Sequence, residues 1–423
     1  MHSSDRGTVH VIGAGLAGLS AAVRLIGSHR AVELHEATAQ AGGRCRSYYD
    51  QATDMVIDNG AHLLLSGNHA ALSYLKTIGS ASGLHGPGEA EFAFVDLPSG
   101  KQWTLRFGDS RFPWWVFDKD RRVPQTAFVD YLPLARLAWT SVDRPIGEVI
   151  SCSGPIYERL LEPLLLAALN IAPREGSAKL ASALIRETLA LGGQACRPLI
   201  ARDGLGTVFV EPAINYLREH GAPVSFNDEL VALRFGNQRV SRLEFTKQTI
   251  ELSENDAVIL AVPPYVATNF MPDLRAPSTF RGIVNAHFRI DPPGRLPPIL
   301  GVINGTCQWI FALPGRVSVT ISDGGELFSA PRTDLAQTIW NEVAKVSGLP
   351  SALPPWQVVR ERRATFAATP EQNALRPAAE TSWRNLFLAG DWTATGLPAT
   401  IESAVRSGYR AADLVRQQLK AAA

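Results

Sequence analysis

A glycine triplet near the start of the chain limits its fold more than any other feature. Gly13-Ala-Gly15-Leu-Ala-Gly18 follows the β-branched run Val9-His-Val-Ile12 and opens an apolar, small-residue stretch over 16–26. A strand, a glycine turn and a helix in that order begin a parallel β-α-β unit. Gly13 permits the tight turn, Gly15 lets the backbone approach a pyrophosphate, and Gly18 lets helix and strand pack closely. The helix start, with Leu16 and Ala17, then offers unpaired N–H groups and a positive dipole end to phosphate. A second strand over 31–35 ends at Glu36, 18 residues after Gly18. A carboxylate there, with Ala37 behind it, accepts hydrogen bonds from a ribose and repels a 2′-phosphate, which disfavours NADP.

The rest of the chain alternates between two styles. Segments 1–85, 200–270 and 355–423 carry short apolar strands, glycine turns and amphipathic helices. They read as one discontinuous Rossmann-like α/β domain. It includes a helical stretch over 204–220, strands ending at 257–262 and 385–389, and a helix from about Pro398 to the end. Segments 86–199 and 271–354 are richer in Trp, Phe, Pro and Leu, with FPWWVF at 112–117 and LLEPLLLAALNIAP at 160–173. They read as an inserted α+β substrate domain.

Charge and cysteine usage exclude other classes. The 41 Lys+Arg against 40 Asp+Glu lack the basic excess of a nucleic-acid binder. No uncharged apolar run reaches the ~18 residues that a bilayer span needs. Cys45, Cys152, Cys196 and Cys307 form no CxxC pair, and the nine histidines show no metal-ligand spacing. No metal is therefore expected, and a reducing, cytoplasmic compartment is.

Ala41-Gly42-Gly43-Arg44 lies just past the second strand and favours FAD over NAD. Paired glycines permit close backbone approach, and Arg44 adds charge at the pyrophosphate or flavin edge. With Gly13–Gly18, Glu36 and Gly42-Gly-Arg-Cys-Arg-Ser47, the chain resembles the flavin amine oxidase and phytoene desaturase superfamily. Leu388-Ala-Gly-Asp391 and Gly396-Leu-Pro-Ala-Thr-Ile-Glu-Ser-Ala404 extend the resemblance to the C-terminal end. It implies an FAD-binding domain of the glutathione-reductase and amine-oxidase type. Gly390 and Asp391 would contact the pyrophosphate and ribityl chain. Thr400 and Ile401 would open a helix aimed at the flavin pyrimidine, where a helix N-terminus stabilises negative charge. Leu230 would meet adenine, and Val262-Pro-Pro264 would lie beside the flavin.

Asp58-Asn-Gly-Ala-His62, Glu162-Pro-Leu and Ala168-Leu-Asn-Ile-Ala-Pro173 narrow the resemblance to the hydroxysqualene dehydroxylases. One element departs from it, since Asp203-Gly-Leu205 stands where Gly-Gly-Leu is expected. The resemblance implies that reduced FAD replaces the hydroxyl of a hydrophobic C30 isoprenoid by hydride. Gly60, Ala61 and His62 would lie along the flavin. An allylic hydroxide must be protonated to leave, and the cation behind it needs a dry apolar slot. His62 and Glu162 are the acid candidates, the first for its pKa and the second because an apolar run would keep it protonated. The faces of Trp103, Trp114, Trp115 and Phe117 offer cation stabilisation.

The resemblance also implies transient contact with the inner face of a membrane through 112–117 or 160–171. A further implied partner is the set of upstream squalene-synthase-like enzymes. Three other readings stay open on sequence: a carotenoid desaturase or isomerase with reversed electron flow, a soluble amine oxidase, and a lipid escort protein that uses no flavin.

Overall fold

The structure is a computed structural model that describes residues 7–28 and 30–422, with side chains to residue 418. Residues 1–6 and Ala423, which the expected domain limits include, lie outside the described residues. Five parallel strands form the central sheet: β1 Thr8–Ile12, β2 Ala31–His35, β3 Val224–Ser225, β4 Ala257–Leu260 and β5 Leu386–Leu388. Their spatial order is β3-β2-β1-β4-β5. The chain therefore builds outward from β1 in one direction and later returns to its other side at β4, as in a doubly wound sheet. The strands read as continuous apolar runs because both faces are covered. Val9, Val11, Ala257 and Ile259 join one core cluster; Ile12, Val258 and Leu260 join the other.

Helix α1 (Leu16–Leu25) packs on the first of these faces, beneath the 22-residue C-terminal helix. Further helices used below are α2 (His69–Thr77), α3 (Leu132–Ala138), α4 (Glu162–Leu169) and α5, the C-terminal one (Ile401–Ala422). Close approach of α1 to α5 depends on small residues. A Cβ at Gly408 would overlap the Ala17 carbonyl oxygen and Ser20 Oγ.

The insertions build a seven-stranded mixed sheet. Its one parallel pair joins Ile299–Ile303 to Ala90–Asp96. Alternation along these strands splits their side chains: Ile310 packs beneath helix Arg332–Ser347 with Trp340, while Trp309 and Phe311 pack on the opposite face.

Two expectations need correction. The segment boundary at 355 falls one strand early, because Trp356–Phe366 pairs with Phe280–Arg289 in the seven-stranded sheet. Which sheet a strand joins is set by its partner, and its own pattern does not carry that. The C-terminal helix starts at Ile401, three residues past Pro398. The stretch 204–220 is helical as expected, a π turn over Gly206–Val210 that continues as helix Glu211–Glu219.

The departure at 203–205 has a simple reading. Only Gly204 takes a left-handed φ, of 106°, while Asp203 is exposed and needs no glycine backbone. The turn is held from below, where Asp58 Oδ1 accepts the Leu205 N–H at 2.8 Å.

Gly408→Val is expected to separate α1 from α5 at a cost of about 1–3 kcal/mol, the usual range for overpacking. Denaturant unfolding of the flavin-free protein measures it. An unchanged midpoint would show that the helix pair can spread freely.

Candidate active site

One cleft of about 1140 Å³ runs from the C-terminal ends of β1 and β4 into the inserted domain. It opens where the strand order changes direction, the usual ligand position in such sheets. Every residue singled out for the dinucleotide lines it: Gly13, Gly15, Leu16, Ala17, Glu36, Ala37, Gly43, Arg44, Gly60, Ala61, His62, Leu230, Gly390, Asp391, Thr400 and Ile401.

At its near end two glycine loops form one lip. Gly42 donates its N–H to the Ala14 carbonyl at 2.8 Å, and Gly15 bridges to Gly42. The three fingerprint glycines have different physical roles. Gly13 has φ 105°, and a Cβ there would lie 2.6 Å from the Ala261 carbonyl oxygen. A Cβ on Gly18 would overlap the Gly13 carbonyl oxygen. A Cβ on Gly15 would meet nothing within 4 Å. Gly13 and Gly18 are thus required by the fold itself, whereas Gly15 borders open space. Glu36 is fixed beside that space: its carboxylate accepts the N–H of Ala14 at 2.8 Å and that of Thr38 at 2.9 Å.

At the middle of the cleft the buried Asp391 carboxylate accepts from Arg44 Nη2 at 2.7 Å, and Arg44 Nη1 donates to the Ala364 carbonyl at 2.5 Å. Gly390 N–H donates to Ser407 Oγ at 2.8 Å, which pins the strand end to α5. Thr400 caps α5, its Oγ1 accepting the Ser403 N–H at 3.1 Å. Glu402, in the first turn, borders the cleft, but its carboxylate is engaged by the protein itself. Its carboxylate is 2 % exposed, accepts the N–H groups of Ala70 and Ala71 at the start of α2, and receives Arg406 Nε at 2.7 Å. Carboxylate and helix end neutralise each other there, and the positive end of α5 is left to the cleft.

The far end of the cleft is apolar. Phe92, Phe107, Trp309 and Phe311 wall one side of it from the seven-stranded sheet. Leu161, Leu164, Leu165 and Ala168 wall the other from the turn around α4. These aromatics replace the expected set, since Trp103, Trp114, Trp115 and Phe117 do not line the cleft. Trp115 is buried in the core behind it, and Trp114 and Phe117 are exposed. The alternation of strands 90–96, 102–107 and 309–313 was the available signal, but the fold had to show which face is the wall.

The two acid candidates fare differently. Glu162 is not a cleft residue. Positions 161, 164, 165 and 168 share one helical face, and 162 is turned about 100° away from it. Burial and neighbouring Glu158 do push its carboxyl up, but the group lies off the chamber. Arg159 is engaged elsewhere, with the Pro124 carbonyl and Gln125 Oε1. His62 does line the cleft, donating Nδ1–H to the Ala61 carbonyl at 3.2 Å. Burial pushes its pKa below the usual value, so near pH 7 it is neutral, with Nε2 as an acceptor.

Sequence reasoning missed a polar chain set into this apolar chamber. Glu361 Oε2 accepts from Asn59 Nδ2 at 3.3 Å. The Asn59 carbonyl accepts from Asn285 Nδ2 at 3.3 Å, and Asn285 Oδ1 accepts from Thr320 Oγ1 at 2.8 Å. All four line the cleft. Asn59 lies in the Asp58–His62 block, but Glu361 sits in an arginine-rich strand with no local signal.

Paired glycine lips, a held carboxylate, an aspartate paired with arginine and an open helix N-terminus together fit a dinucleotide that carries a flavin. Gly15→Val tests the fit, because its side chain enters the cleft and not the core. The unfolding midpoint of the flavin-free protein should not move. Flavin retention should weaken by tenfold or more, about 1.4 kcal/mol. Absorbance of the bound flavin after gel filtration reads this out, and full retention would remove the cradle assignment.

The family described as "Flavin containing amine oxidoreductase" matches residues 16–416. The chain is 58% identical to a hydroxysqualene dehydroxylase of Rhodopseudomonas palustris, over 96% of this chain and 98% of that one. It is 55% identical to the hydroxysqualene dehydroxylase of Sinorhizobium fredii (96% and 97% covered) and 46% identical to that of Zymomonas mobilis (96% and 98%). Its fold matches a redesigned putrescine oxidase with a TM-score of 0.71 at 16% identity, covering 97% and 99% of the two chains. It also matches cyclohexylamine oxidase of Brevibacterium oxydans with a TM-score of 0.69 at 16% identity, covering 98% and 100%. The chain belongs to the flavin-containing amine oxidoreductases, and within them to the hydroxysqualene dehydroxylase family, as an FAD-dependent oxidoreductase.

Proposed function

We propose that the protein converts hydroxysqualene to squalene by reductive loss of the hydroxyl. One observation carries the reading: a single cleft joins the dinucleotide cradle to a deep apolar chamber with one hydrogen-bonded polar chain in its wall. An escort protein has no need of the cradle, and the likeness of the whole chain to hydroxysqualene dehydroxylases favours this reading over an amine oxidase. FAD would be held by the glycine lips, Glu36, the Arg44–Asp391 pair and the start of α5, and in its reduced form it would supply a hydride to the carbon that loses oxygen.

The protein's own residues supply the rest. The leucine and aromatic walls exclude water and offer ring faces to a developing cation. The polar chain from Thr320 to Glu361 receives the substrate hydroxyl. Glu361 donates the proton, the C–O bond breaks, and the oxygen leaves as water. His62, neutral and with Nε2 free to accept, orients the hydroxyl.

The test is one anaerobic reaction of the protein, photoreduced FAD and hydroxysqualene, with squalene read by mass spectrometry. Wild-type protein should form squalene and oxidised flavin in equal amounts. Glu361→Gln should retain flavin and lose rate by about 10²–10⁴, the usual contribution of a positioned acid. No squalene from wild type sinks the reading, while full activity in Glu361→Gln moves the acid elsewhere.

We also propose that the protein docks on a membrane surface through residues 112–142. No helix among the described residues is long and apolar enough to cross a membrane. Phe112, Trp114, Phe117 and Phe128 form a continuous exposed ridge, with ring centroids 4.4 to 6.2 Å apart. Leu132 and Trp139 beside it are 66% and 73% exposed. Leu134, on the same helix α3 as Leu132, lines the cleft. The ridge is therefore continuous with the chamber that must receive a bilayer-borne substrate. The other expected contact, 160–171, offers less surface: Leu160, Leu161, Leu165, Leu169 and Ile171 are buried, Leu164 and Leu166 are half-buried, and Ala167 is exposed.

Flotation with liposomes should recover wild-type protein in the lipid layer. Trp114→Ser with Phe117→Ser should shift most of it to the aqueous layer without loss of flavin. Equal recovery of both proteins would exclude this surface.

A further inference from the structure

A second cluster of chemistry-bearing side chains lies at the ribose end of the cleft, on the face of the central sheet opposite α1; His35 and Asp228 border the cleft, while His10 and Glu33 lie behind it. His10 and Glu33 are direct partners across the β1–β2 ladder. His35 lies two residues beyond Glu33 and so shares its face. Three side chains therefore converge. His10 Nδ1 is 3.4 Å from His35 Nε2 and 3.5 Å from Glu33 Oε2, and His35 Nε2 is 3.9 Å from Glu33 Oε2. Both rings are buried, and Glu33 reaches partly into solvent.

These separations are long for hydrogen bonds, which hold donor and acceptor at roughly 2.7–3.2 Å. They suit a shared ion better. A point equidistant from the three atoms lies about 2.1 Å from each, close to the bond length of Zn²⁺ to imidazole nitrogen or carboxylate oxygen.

The surroundings support the same reading. His35 donates Nδ1–H to Asp228 Oδ2 at 2.9 Å. That bond fixes the tautomer and turns the Nε2 lone pair toward His10 and Glu33. A carboxylate behind a histidine ligand is the usual outer shell of a metal site. Asp228 is itself held by Gln248 Nε2 at 2.8 Å, while its other oxygen is buried without a partner. Phe245 stacks on the His35 ring at 4.5 Å and restricts its rotation.

We propose that His10 Nδ1, His35 Nε2 and Glu33 Oε2 form a three-ligand site for a borderline divalent cation of the Zn²⁺ class, with solvent as the fourth ligand. The site has a structural use. It ties β1 to β2 one residue before Glu36, and Asp228 N–H donates to the Glu36 carbonyl at 3.0 Å. An ion there stiffens the ribose end of the cleft. Histidine spacing along the chain does not reveal the site, because its ligands come from two neighbouring strands.

The test uses flavin-loaded protein stripped with a chelator and titrated with Co²⁺, then Zn²⁺. Wild type should take up one Co²⁺ per chain with the visible bands of a four-coordinate ion, and Zn²⁺ should displace it. His10→Asn and Glu33→Gln, neither of which lines the cleft, should keep their flavin spectrum and bind at least tenfold more weakly. Should His10→Asn fold poorly, the partly exposed Glu33→Gln still decides. Asp228→Asn should weaken binding by about 10–100-fold. No stoichiometric uptake by wild type, or equal uptake by wild type and Glu33→Gln, overturns the proposal.

Discussion

The structure depends on one close backbone approach. Between β1 and α1 the chain turns so tightly that Gly13, at φ 105°, touches the end of β4, and Gly18 lies against the Gly13 carbonyl. Any side chain at either position would separate α1 from the sheet. Because the approach is this close, the start of α1 reaches the rim of the sheet, where its N–H groups face the cleft. The same approach leaves Gly15 beside open space. Packing and binding thus rest on one turn, with different glycines responsible for each.

Buried charge holds the second half of the site in place. Glu402 joins the start of α2, the first turn of α5 and, through Arg406, the carboxylate of Glu187. Removing one partner of such a set leaves an uncompensated buried charge, which is costly. Asp58 does similar work on the other side. It accepts from Ser47 Oγ at 2.5 Å and from Leu205 N–H, and pairs with Arg316 of the inserted sheet at 3.5 Å. The acid of the Asp58–His62 block therefore positions the segment that follows it, and Asn59, Gly60, Ala61 and His62 reach the cleft.

The cradle was legible because its parts are local. A β-branched strand, three glycines, a helix and a carboxylate at the next strand end follow each other within 30 residues, and each has its own steric or electrostatic reason. The chamber was less legible. Its aromatic wall comes from residues 92, 107, 309 and 311, brought together by pairing between distant strands. The richest aromatic stretch, 112–117, forms a surface ridge instead. Glu162 shows the limit of reading a run by its apolarity alone. Its neighbours on the helix face the chamber, and one step of about 100° takes it away.

The sequence by itself determined the Rossmann-type unit, its preference for FAD, and the discontinuous assembly of that unit from three segments. These follow from short-range rules: which residues tolerate a left-handed turn, which alternate, and where a carboxylate can meet a ribose. Only the tertiary structure decided that residues 356–366 belong to the inserted sheet, that Glu361 and not Glu162 faces the chamber, and that His10 meets His35. Those outcomes depend on strand pairing and helix rotation, which bring together residues far apart in the chain. A side chain's environment is set by the partner it packs against, and no local pattern names that partner.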